Sequence, residues 1–378
     1  MNARLHLLTT YGLRRSATLV LAVLLGSFAA AEEQRPAADA IDPNLDAKGN
    51  AYMNRQAKAL LGAADETLKR IPPQWPEPAE RRLSLLVMDG VLHDKYAQQR
   101  PAVQEFFHAR IRAAVAQMEQ TQVKDGAKIW KFYDMGFVVR TASVTIGFDL
   151  TRATSARAEG FFIPEDVMTS LIRQCDVLFI SHRHGDHAEE WVAQTFLDQG
   201  KPVVTPPEVW EGKPIHEKIT HLERDAEKMQ TLPIQKGSRE LKVVCYPGHQ
   251  MENVQNNVPL IFTPDGISVC HIGDQINEGT FMVDYAWIDN VAKHHQVDIF
   301  LPNCWTNELF RIVKGFDPEL VIMGHENELG HPVDDRVPYW GDAEFLQLTN
   351  PQLLKSNYPV VPMTWGESYS YTPKRPRK

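Results

Sequence analysis

The 378-residue sequence predicts a layered α/β fold with a helical segment in front of it. Helix-forming stretches rich in Ala, Leu, Lys and Glu fill residues 50–125. After Gly126, short apolar runs alternate with amphipathic segments as far as about residue 345. Strands that alternate with helices in this way are typical of sheets covered by helices. The composition, 43% hydrophobic and 23% charged, indicates a folded globular protein and excludes a disordered chain.

The first residues have the layout of an export signal. Three arginines precede an apolar run, and the uncharged stretch 16–31 ends in small residues up to Ala31. A positive region, an apolar run and a small-residue cleavage site together make a signal peptide. We therefore expect residues 1–31 to be removed near Ala31, which leaves a secreted or periplasmic protein without a stable membrane anchor. An uncleaved anchor is the alternative, although the stretch is shorter than the roughly 20 residues that span a bilayer.

The next residues predict a flexible leader and then helices. Residues 32–49 are polar and carry Ala and Pro, which is typical of a leader. Helices are expected over residues 51–70 and from Pro78 to about Asp94. A third helix starts at Pro101, because apolar side chains follow it at three-and-four spacing. This apolar stripe indicates a helix face packed against a core.

Residues 126–345 predict the α/β domain, and residues 346–378 form a C-terminal segment with a basic tail. A strong hairpin signal stands at residues 263–266, Thr-Pro-Asp-Gly, between two apolar runs. The predicted strands that precede it cover residues 129–133, 137–140, 143–150, 176–180, 202–204 and 241–246.

Charge and cysteine content exclude several function classes. The formal net charge of −8 disfavours binding to nucleic acid through bulk electrostatics, so we expect no nucleic-acid partner. The four cysteines stand far apart without a CxxC pair, which excludes a zinc finger or a disulfide framework. Each of them adjoins an apolar run, which predicts buried thiols. Spacing alone leaves a disulfide open.

The strongest chemical signal is the run Ser-His-Arg-His-Gly-Asp-His at residues 181–187, directly after a predicted strand. His182 and His184 are two residues apart, so in extended backbone they project to the same side. After the turn at Gly185, Asp186 and His187 can point to a second position nearby. Three imidazoles and a carboxylate suit Zn²⁺ or a similar transition metal.

In this position the motif resembles that of the metallo-β-lactamase superfamily. The resemblance covers residues 127–345 and implies an αββα sandwich with one or two metals at the rim between its sheets. It also implies three later ligands after strands, which match His249 in YPGHQ, Asp274 in HIGDQ and His325 in GHENELGH. Asp149 in IGFDL resembles the strand-end aspartate that supports the metal loop from behind in this superfamily.

The resemblance implies two zinc ions, with iron or manganese as alternatives. His182, His184 and His249 would bind the first ion, Asp186, His187 and His325 the second, and Asp274 both. Some alternatives remain open. His249 and Asp274 could each serve a turn instead, after Gly248 and Gly273 respectively. His331 competes with His325 as the last ligand, and otherwise lies behind the site or faces the substrate.

The resemblance further implies an exported binuclear hydrolase that acts on a small molecule. In such enzymes a hydroxide that bridges the metals attacks a carbonyl carbon or phosphorus, and Asp186 and Asp274 would steer its proton. The bridging Asp274 is similar to that of lactonases and phosphodiesterases, so the expected substrate is an ester, lactone or phosphodiester. The closest likeness is to the ascorbate-6-phosphate lactonase-like and N-acyl-phosphatidylethanolamine phospholipase D-like branches. Trp305, in a loop after a strand, either lines the substrate pocket or packs in the core.

Other functions compatible with the motif are a metal-binding protein without activity, a true β-lactamase and a flavodiiron-like oxidoreductase. The antibiotic-cleaving enzymes generally lack the bridging aspartate, which disfavours the second. A flavin domain after residue 345 is not evident, which disfavours the third.

Overall fold

The computed structural model describes residues 41–234, 239–275, 282–330, 352–353 and 355–374. The chain divides into two compact units, residues 1–53 and residues 54–378. The expected signal peptide at 1–31, most of the leader at 32–49 and His331 lie outside the described residues. In the first unit, the side-chain oxygen of Asn50 accepts a hydrogen bond from the backbone N–H of Asp42 at 2.9 Å and fixes a turn. The account below concerns the second unit.

The N-terminal helices form where the apolar spacing predicts them. The helix α3 (Pro101–Gln120) begins with Pro101, and proline suits a first position because the N–H that it lacks would have no partner within the helix there. The helices are α1 (Ala47–Arg70), α2 (Ala79–Leu92), α3 (Pro101–Gln120), α4 (Glu165–Arg173), α5 (Glu190–Asp198), α6 (Met282–Ile288), α7 (Val291–His294) and α8 (Leu309–Phe316). Among the described residues, no helix is long and apolar enough to cross a membrane.

The strands form two mixed six-stranded sheets. The first has the order β12-β1-β2-β3-β4-β5, with β3, β4 and β5 parallel, and the second has the order β11-β10-β9-β8-β7-β6, with β9, β10 and β11 parallel. The strands are β1 (Ala127–Lys131), β2 (Phe137–Thr141), β3 (Thr145–Phe148), β4 (Val177–Phe179), β5 (Val203–Val204), β6 (Met229–Ile234), β7 (Arg239–Met251), β8 (Val254–Phe262), β9 (Ser268–His271), β10 (Ile299–Leu301), β11 (Leu320–Val321) and β12 (Ser368–Tyr371).

The hairpin predicted at residues 263–266 connects β8 and β9. The backbone N–H of Gly266 donates to the carbonyl of Thr263 at 2.9 Å, and Gly266 has a φ of 83°. A side chain rarely adopts this left-handed conformation, so glycine suits the position. Two strands were not predicted. β6 alternates exposed and buried residues at a sheet edge, and β12 belongs to the C-terminal segment.

Alternating side chains place the two sheets face to face. Ile129 and Ile146 of the first sheet share one buried cluster with Val243 and Val269 of the second. The alternate residues point outwards, where helices cover them. On the outer face of the second sheet, Trp287 of α6 stacks on Tyr246 with ring centroids 4.8 Å apart, and Phe316 of α8 lies 4.5 Å from Phe300. The first sheet is covered by α5, which packs on β4 and β5. This arrangement confirms the predicted αββα sandwich.

The N-terminal helices contribute side chains to a second buried cluster, separate from the one between the two sheets. The ring of Phe107 in α3 stacks on that of Phe161 at 4.5 Å and meets Trp365 edge-on at 5.1 Å. Leu85 and Met88 of α2 are fully buried in the same cluster. Burial of side chains of this size stabilises the fold by about 1.5–3 kcal/mol each. The helical segment therefore completes one outer layer of the sandwich.

The four cysteines are buried, and none of them forms a disulfide. This agrees with the apolar neighbours of each cysteine in the sequence. Burial raises the pKa of Cys175 and of Cys245 to about 12. Because the thiolate is the reactive form, these two thiols are inert near neutral pH.

A buried ion pair joins α2 to the segment before β12. The guanidinium of Arg81 donates to Glu367 Oε1 at 2.9 Å and to the carbonyl of Pro362 at 3.0 Å. The two side chains are 0% and 5% exposed, so removal of Glu367 leaves the Arg81 guanidinium in the interior without its carboxylate partner.

We predict that Glu367→Ala destabilises the protein by about 3–5 kcal/mol, because it leaves the Arg81 guanidinium buried without its carboxylate. Urea unfolding followed by circular dichroism measures the change. Glu80→Ala is the matched control, since it breaks the solvent-exposed pair with Arg70 and should leave the midpoint unchanged. Equal midpoints for Glu367→Ala and the wild type would contradict the prediction.

Candidate metal centre

The candidate site lies where strands of both sheets end. Asp149 follows β3, the loop 182–187 follows β4, Asp274 follows β9, and His325 follows β11. The carboxyl ends of neighbouring parallel strands meet at the same edge of a sheet, so residues placed there converge. Asp134 joins them from the turn between β1 and β2, and its backbone carbonyl accepts a hydrogen bond from His325 N at 3.2 Å.

Two overlapping groups of side chains have the geometry to hold metal ions. In each group, every residue offers one ligand atom, and these atoms lie within 4.8 Å of one another. His187 belongs to both groups: its Nε2 lies 2.9 Å from Asp186 Oδ2 and 3.4 Å from Asp274 Oδ1. The first group is His182, His187 and Asp274, and the second is Asp134, Asp186, His187 and His325.

The carboxylate of Asp274 faces both groups. Its Oδ2 lies 3.8 Å from His182 Nε2, whereas its Oδ1 lies 3.2 Å from His325 Nε2. Gln250 donates to Oδ2 at 2.9 Å and Asn303 to Oδ1 at 2.7 Å, which fixes the plane of the carboxylate. One oxygen towards each group is the arrangement that a bridging carboxylate requires.

The donor set fits a transition metal. The Nε2 atoms of His182, His187 and His325 are buried without a hydrogen-bond partner in the part of the chain that the structure describes. A buried polar atom without a hydrogen bond costs free energy, and a bound cation would satisfy these three nitrogens together with the carboxylates that face them. Imidazole nitrogens together with carboxylate oxygens suit zinc and other first-row metals.

The Nδ1 atoms of His187 and His182 already have partners on the side away from the metal groups. Nδ1 of His187 lies 2.7 Å from Asp149 Oδ2, and Asp149 in turn accepts hydrogen bonds from the N–H (2.7 Å) and hydroxyl (2.6 Å) of Ser181. The Ser181 hydroxyl also lies 3.0 Å from Nδ1 of His182. A partner on Nδ1 fixes the tautomer and orients Nε2 towards a metal. Asp149 therefore lies behind the loop, where the sequence placed it.

Burial and charge divide the imidazoles into neutral and protonated ones. Burial lowers the pKa of His182 to about 3, so its ring is neutral near neutral pH. Burial also lowers the pKa of His187 and of His325, but nearby carboxylates outweigh it and hold both pKa values well above the ordinary 6.5. Burial in turn raises the pKa of Asp274, yet these two imidazoles bring it well below its usual range.

The remaining predicted residues border the centre. His184 and His249 belong to neither of the two groups just described. The His184 ring lies edge-on to His182 with centroids 4.7 Å apart. His249 Nδ1 lies 3.0 Å from Asp284 Oδ1, and the adjacent Gln250 donates to Asp274. His249 thus stands on a strand end that touches the site.

Trp305 packs against the centre. Its ring lies 4.7 Å from that of His325, and the residue is only 8% exposed. The backbone N–H of Trp305 donates to Asn303 Oδ1 at 2.7 Å, so the residue that orients Asp274 also fixes the loop of Trp305. This contact shields one face of the His325 ring from water.

Sequence reasoning missed Asp134 and Asp284. Asp134 follows a strand in FYDMG, and a strand-end aspartate was a signal that could have found it. Asp284 lies in α6, and no local pattern connects it to His249. Its carboxylate also accepts a hydrogen bond from Gln275 at 2.6 Å, which ties α6 to the loop of Asp274.

Solved structures from several organisms are similar to this chain. A metallo hydrolase from the archaeon Ignicoccus hospitalis aligns over 66% of this chain and 99% of its own, with 18% identity and a TM-score of 0.47. A diiron β-hydroxylase from Streptomyces venezuelae aligns over 67% of this chain and 55% of its own, with 15% identity and a TM-score of 0.45. A Thermotoga maritima protein assigned to the zinc-dependent hydrolases of the metallo-β-lactamase superfamily aligns over 58% of this chain and 84% of its own, with 15% identity and a TM-score of 0.30. No protein-family model and no curated protein sequence matches the chain.

We predict that Asp149→Asn weakens Zn²⁺ binding about 10–100-fold, because the amide presents its neutral group to His187 and loses the charge that orients the ring. Competition with a chromophoric chelator measures the affinity. Asp298→Asn is the matched control: Asp298 is also buried, but its Oδ2 accepts a hydrogen bond from the N–H of Ser268 at the start of β9, away from the metal groups. Equal affinities for Asp149→Asn and the control would contradict the prediction.

We also predict that Zn²⁺ binding near neutral pH releases protons, one from each of His187 and His325. Both pKa values are raised, so the metal-free imidazoles are protonated there and must lose a proton to bind. Affinity therefore rises with pH through these raised pKa values. Titration calorimetry in buffers of different ionisation enthalpy measures the count. Loss of the half-buried ring in His216→Ala, which lies outside the metal groups, should not change the count, and a binding heat independent of buffer would refute the prediction.

Proposed function

We propose that this chain is a metal-dependent hydrolase of the metallo-β-lactamase superfamily that cleaves an ester, lactone or phosphodiester. The observation that carries the proposal is the set of three buried Nε2 atoms without partners, which face the carboxylates of Asp186 and Asp274. A core that only needed to pack would not place histidines and carboxylates together in this way.

The proposed centre holds two metal ions. Asp186, His187 and His325 would hold the second ion and Asp274 would contact both ions, which the opposite orientation of its two oxygens supports. The first ion takes His182 together with His184 and His249, whose neighbours already touch the site. Zinc is the proposed metal, and iron or manganese would suit the same donors.

A bound metal pair supplies the Lewis acidity that makes water a nucleophile and stabilises charge on the substrate oxygen. The chain supplies orientation. Gln250 and Asn303 hold Asp274 in one plane, so it needs no reorganisation during the reaction. The Asp186 side chain is 15% exposed, more than the other carboxylates of the site, so it is the carboxylate that can hydrogen-bond and orient an incoming water.

We further propose export, with removal of residues 1–31 and a periplasmic or secreted mature protein that acts on a small molecule. The arginines and the uncharged stretch at residues 16–31 support this proposal. The negative net charge supports a partner other than nucleic acid.

Metal analysis of the purified protein joined to a hydrolysis panel tests the function. The panel contains bis(p-nitrophenyl) phosphate, a p-nitrophenyl ester, a homoserine lactone and nitrocefin. We expect about two metal ions per chain and turnover of at least one of the first three compounds. Nitrocefin as the sole substrate would indicate a β-lactamase. Two bound metals without any turnover would favour a metal-binding protein without activity.

Asp186→Ala separates catalysis at the centre from a contaminating activity. It should empty the second metal position, leave the first partly filled and abolish turnover of the compound that the wild type cleaves. The control is Asp198→Ala, which removes an exposed carboxylate at the end of α5 and should retain both metals and activity. Undiminished turnover by Asp186→Ala would refute the proposed site.

A further inference from the structure

Asp134 is a buried acid that the proposed ligand set does not use. It is 1% exposed, and its two carboxylate oxygens face imidazole nitrogens, His325 Nδ1 at 3.0 Å and His187 Nε2 at 4.0 Å. It stands in the turn between β1 and β2 with a left-handed φ of 55°. Glycine or asparagine would suit this backbone conformation without placing a charge in the interior. The fold alone therefore gives no reason for a carboxylate here.

The nearest polar atom to this carboxylate belongs to a candidate ligand. Asp134 Oδ1 lies 3.0 Å from His325 Nδ1, and the backbone N–H of His325 donates to the Asp134 carbonyl at 3.2 Å. His325 also has a left-handed φ, 73°, which is rare for a side chain of this type. Two adjacent residues in strained conformations thus meet through both backbone and side chain.

The two ring nitrogens of His325 face different carboxylates. Nδ1 faces Asp134, whereas Nε2 lies 3.2 Å from Asp274 Oδ1 and 3.6 Å from Asp186 Oδ2. The same division holds for His187, whose Nδ1 meets Asp149 and whose Nε2 faces Asp186. A proton on Nδ1 leaves the lone pair on Nε2 free for a metal.

We propose that Asp134 is the positioning residue for His325: it accepts the Nδ1 proton and thereby presents Nε2 to the second metal position. The inference rests on the proposed metal centre and adds a residue to it. It also gives the buried carboxylate a hydrogen-bond donor, which offsets part of the cost of placing it in the β1–β2 turn. The competing role is direct metal ligation, since Asp134 Oδ2 lies 4.0 Å from His187 Nε2.

The test uses the full-length protein loaded with Co²⁺ and the variants Asp134→Asn and Asp134→Ala. Proton NMR of the Co²⁺ protein shows strongly shifted, exchangeable signals from the Nδ1 protons of ligand imidazoles, and His325→Ala assigns the signal of His325. Competition titration gives the affinity of the second position. Asp298→Asn is the control for loss of a buried carboxylate elsewhere.

We expect Asp134→Ala to lower the affinity of the second position about 10–100-fold and to abolish or broaden the His325 signal through faster exchange. Asp134→Asn should keep the signal and lose less affinity than Asp134→Ala, because its amide oxygen still accepts the Nδ1 proton although the negative charge is gone. Loss of thermal stability without any change in the His325 signal would indicate a structural role and overturn the proposal.

Direct ligation would give a different result. Asp134→Asn would then lose as much affinity as Asp134→Ala, with a changed visible spectrum of the Co²⁺ ion but an intact His325 signal. Unchanged affinity and signal in Asp134→Ala would also overturn the positioning role while leaving the metal centre in place. Failure of the wild type to bind Co²⁺, Zn²⁺ or Mn²⁺ would instead overturn the proposed function itself.

Discussion

Charge compensation between buried imidazoles and buried carboxylates is the constraint on which the site depends. Asp149, Asp274 and His187 are almost inaccessible to water, and an isolated charge in such a place would be very costly. Without metal, the protons that the raised pKa values hold on His187 and His325 offset part of the carboxylate charge. With metal, cations replace the protons and the same carboxylates remain compensated. The scaffold can therefore be assembled before a metal arrives.

This arrangement uses the sandwich in a particular way. Each sheet contributes strands that end at the same edge, and hydrogen bonds then connect the two sheets across it. The backbone N–H of Asn257 in β8 donates to the carbonyl of Ser181 in the loop after β4 at 2.8 Å. Gln250 of β7 holds Asp274 after β9. Because both sheets are rigid, the ligand positions are fixed by the core and not by the loops alone.

The sequence predicted the parts of the site that have local signals. The motif at residues 181–187 combines four potential ligands with a strand before it, and both regularities are short-range. His325 and Asp274 were suggested by the resemblance to the superfamily, because each follows an apolar run where that family has a ligand. Asp284 was not, since it meets His249 only through the packing of α6 on the sheet. Strand β12 was also missed, because its four residues, Ser-Tyr-Ser-Tyr, pair with β1 across most of the chain.

The pairing of β1 with β12 has a consequence for the order in which the molecule is assembled. Ala127 lies opposite Tyr371, so the first sheet lacks its edge strand until nearly the whole polypeptide has left the ribosome. The buried ion pair of Arg81 likewise forms only after Glu367 has been synthesised. Contacts so distant along the chain make folding slow, because a very large loop must close first. A newly made chain therefore leaves the free edge of β1 exposed until residues 368–371 are available to pair with it.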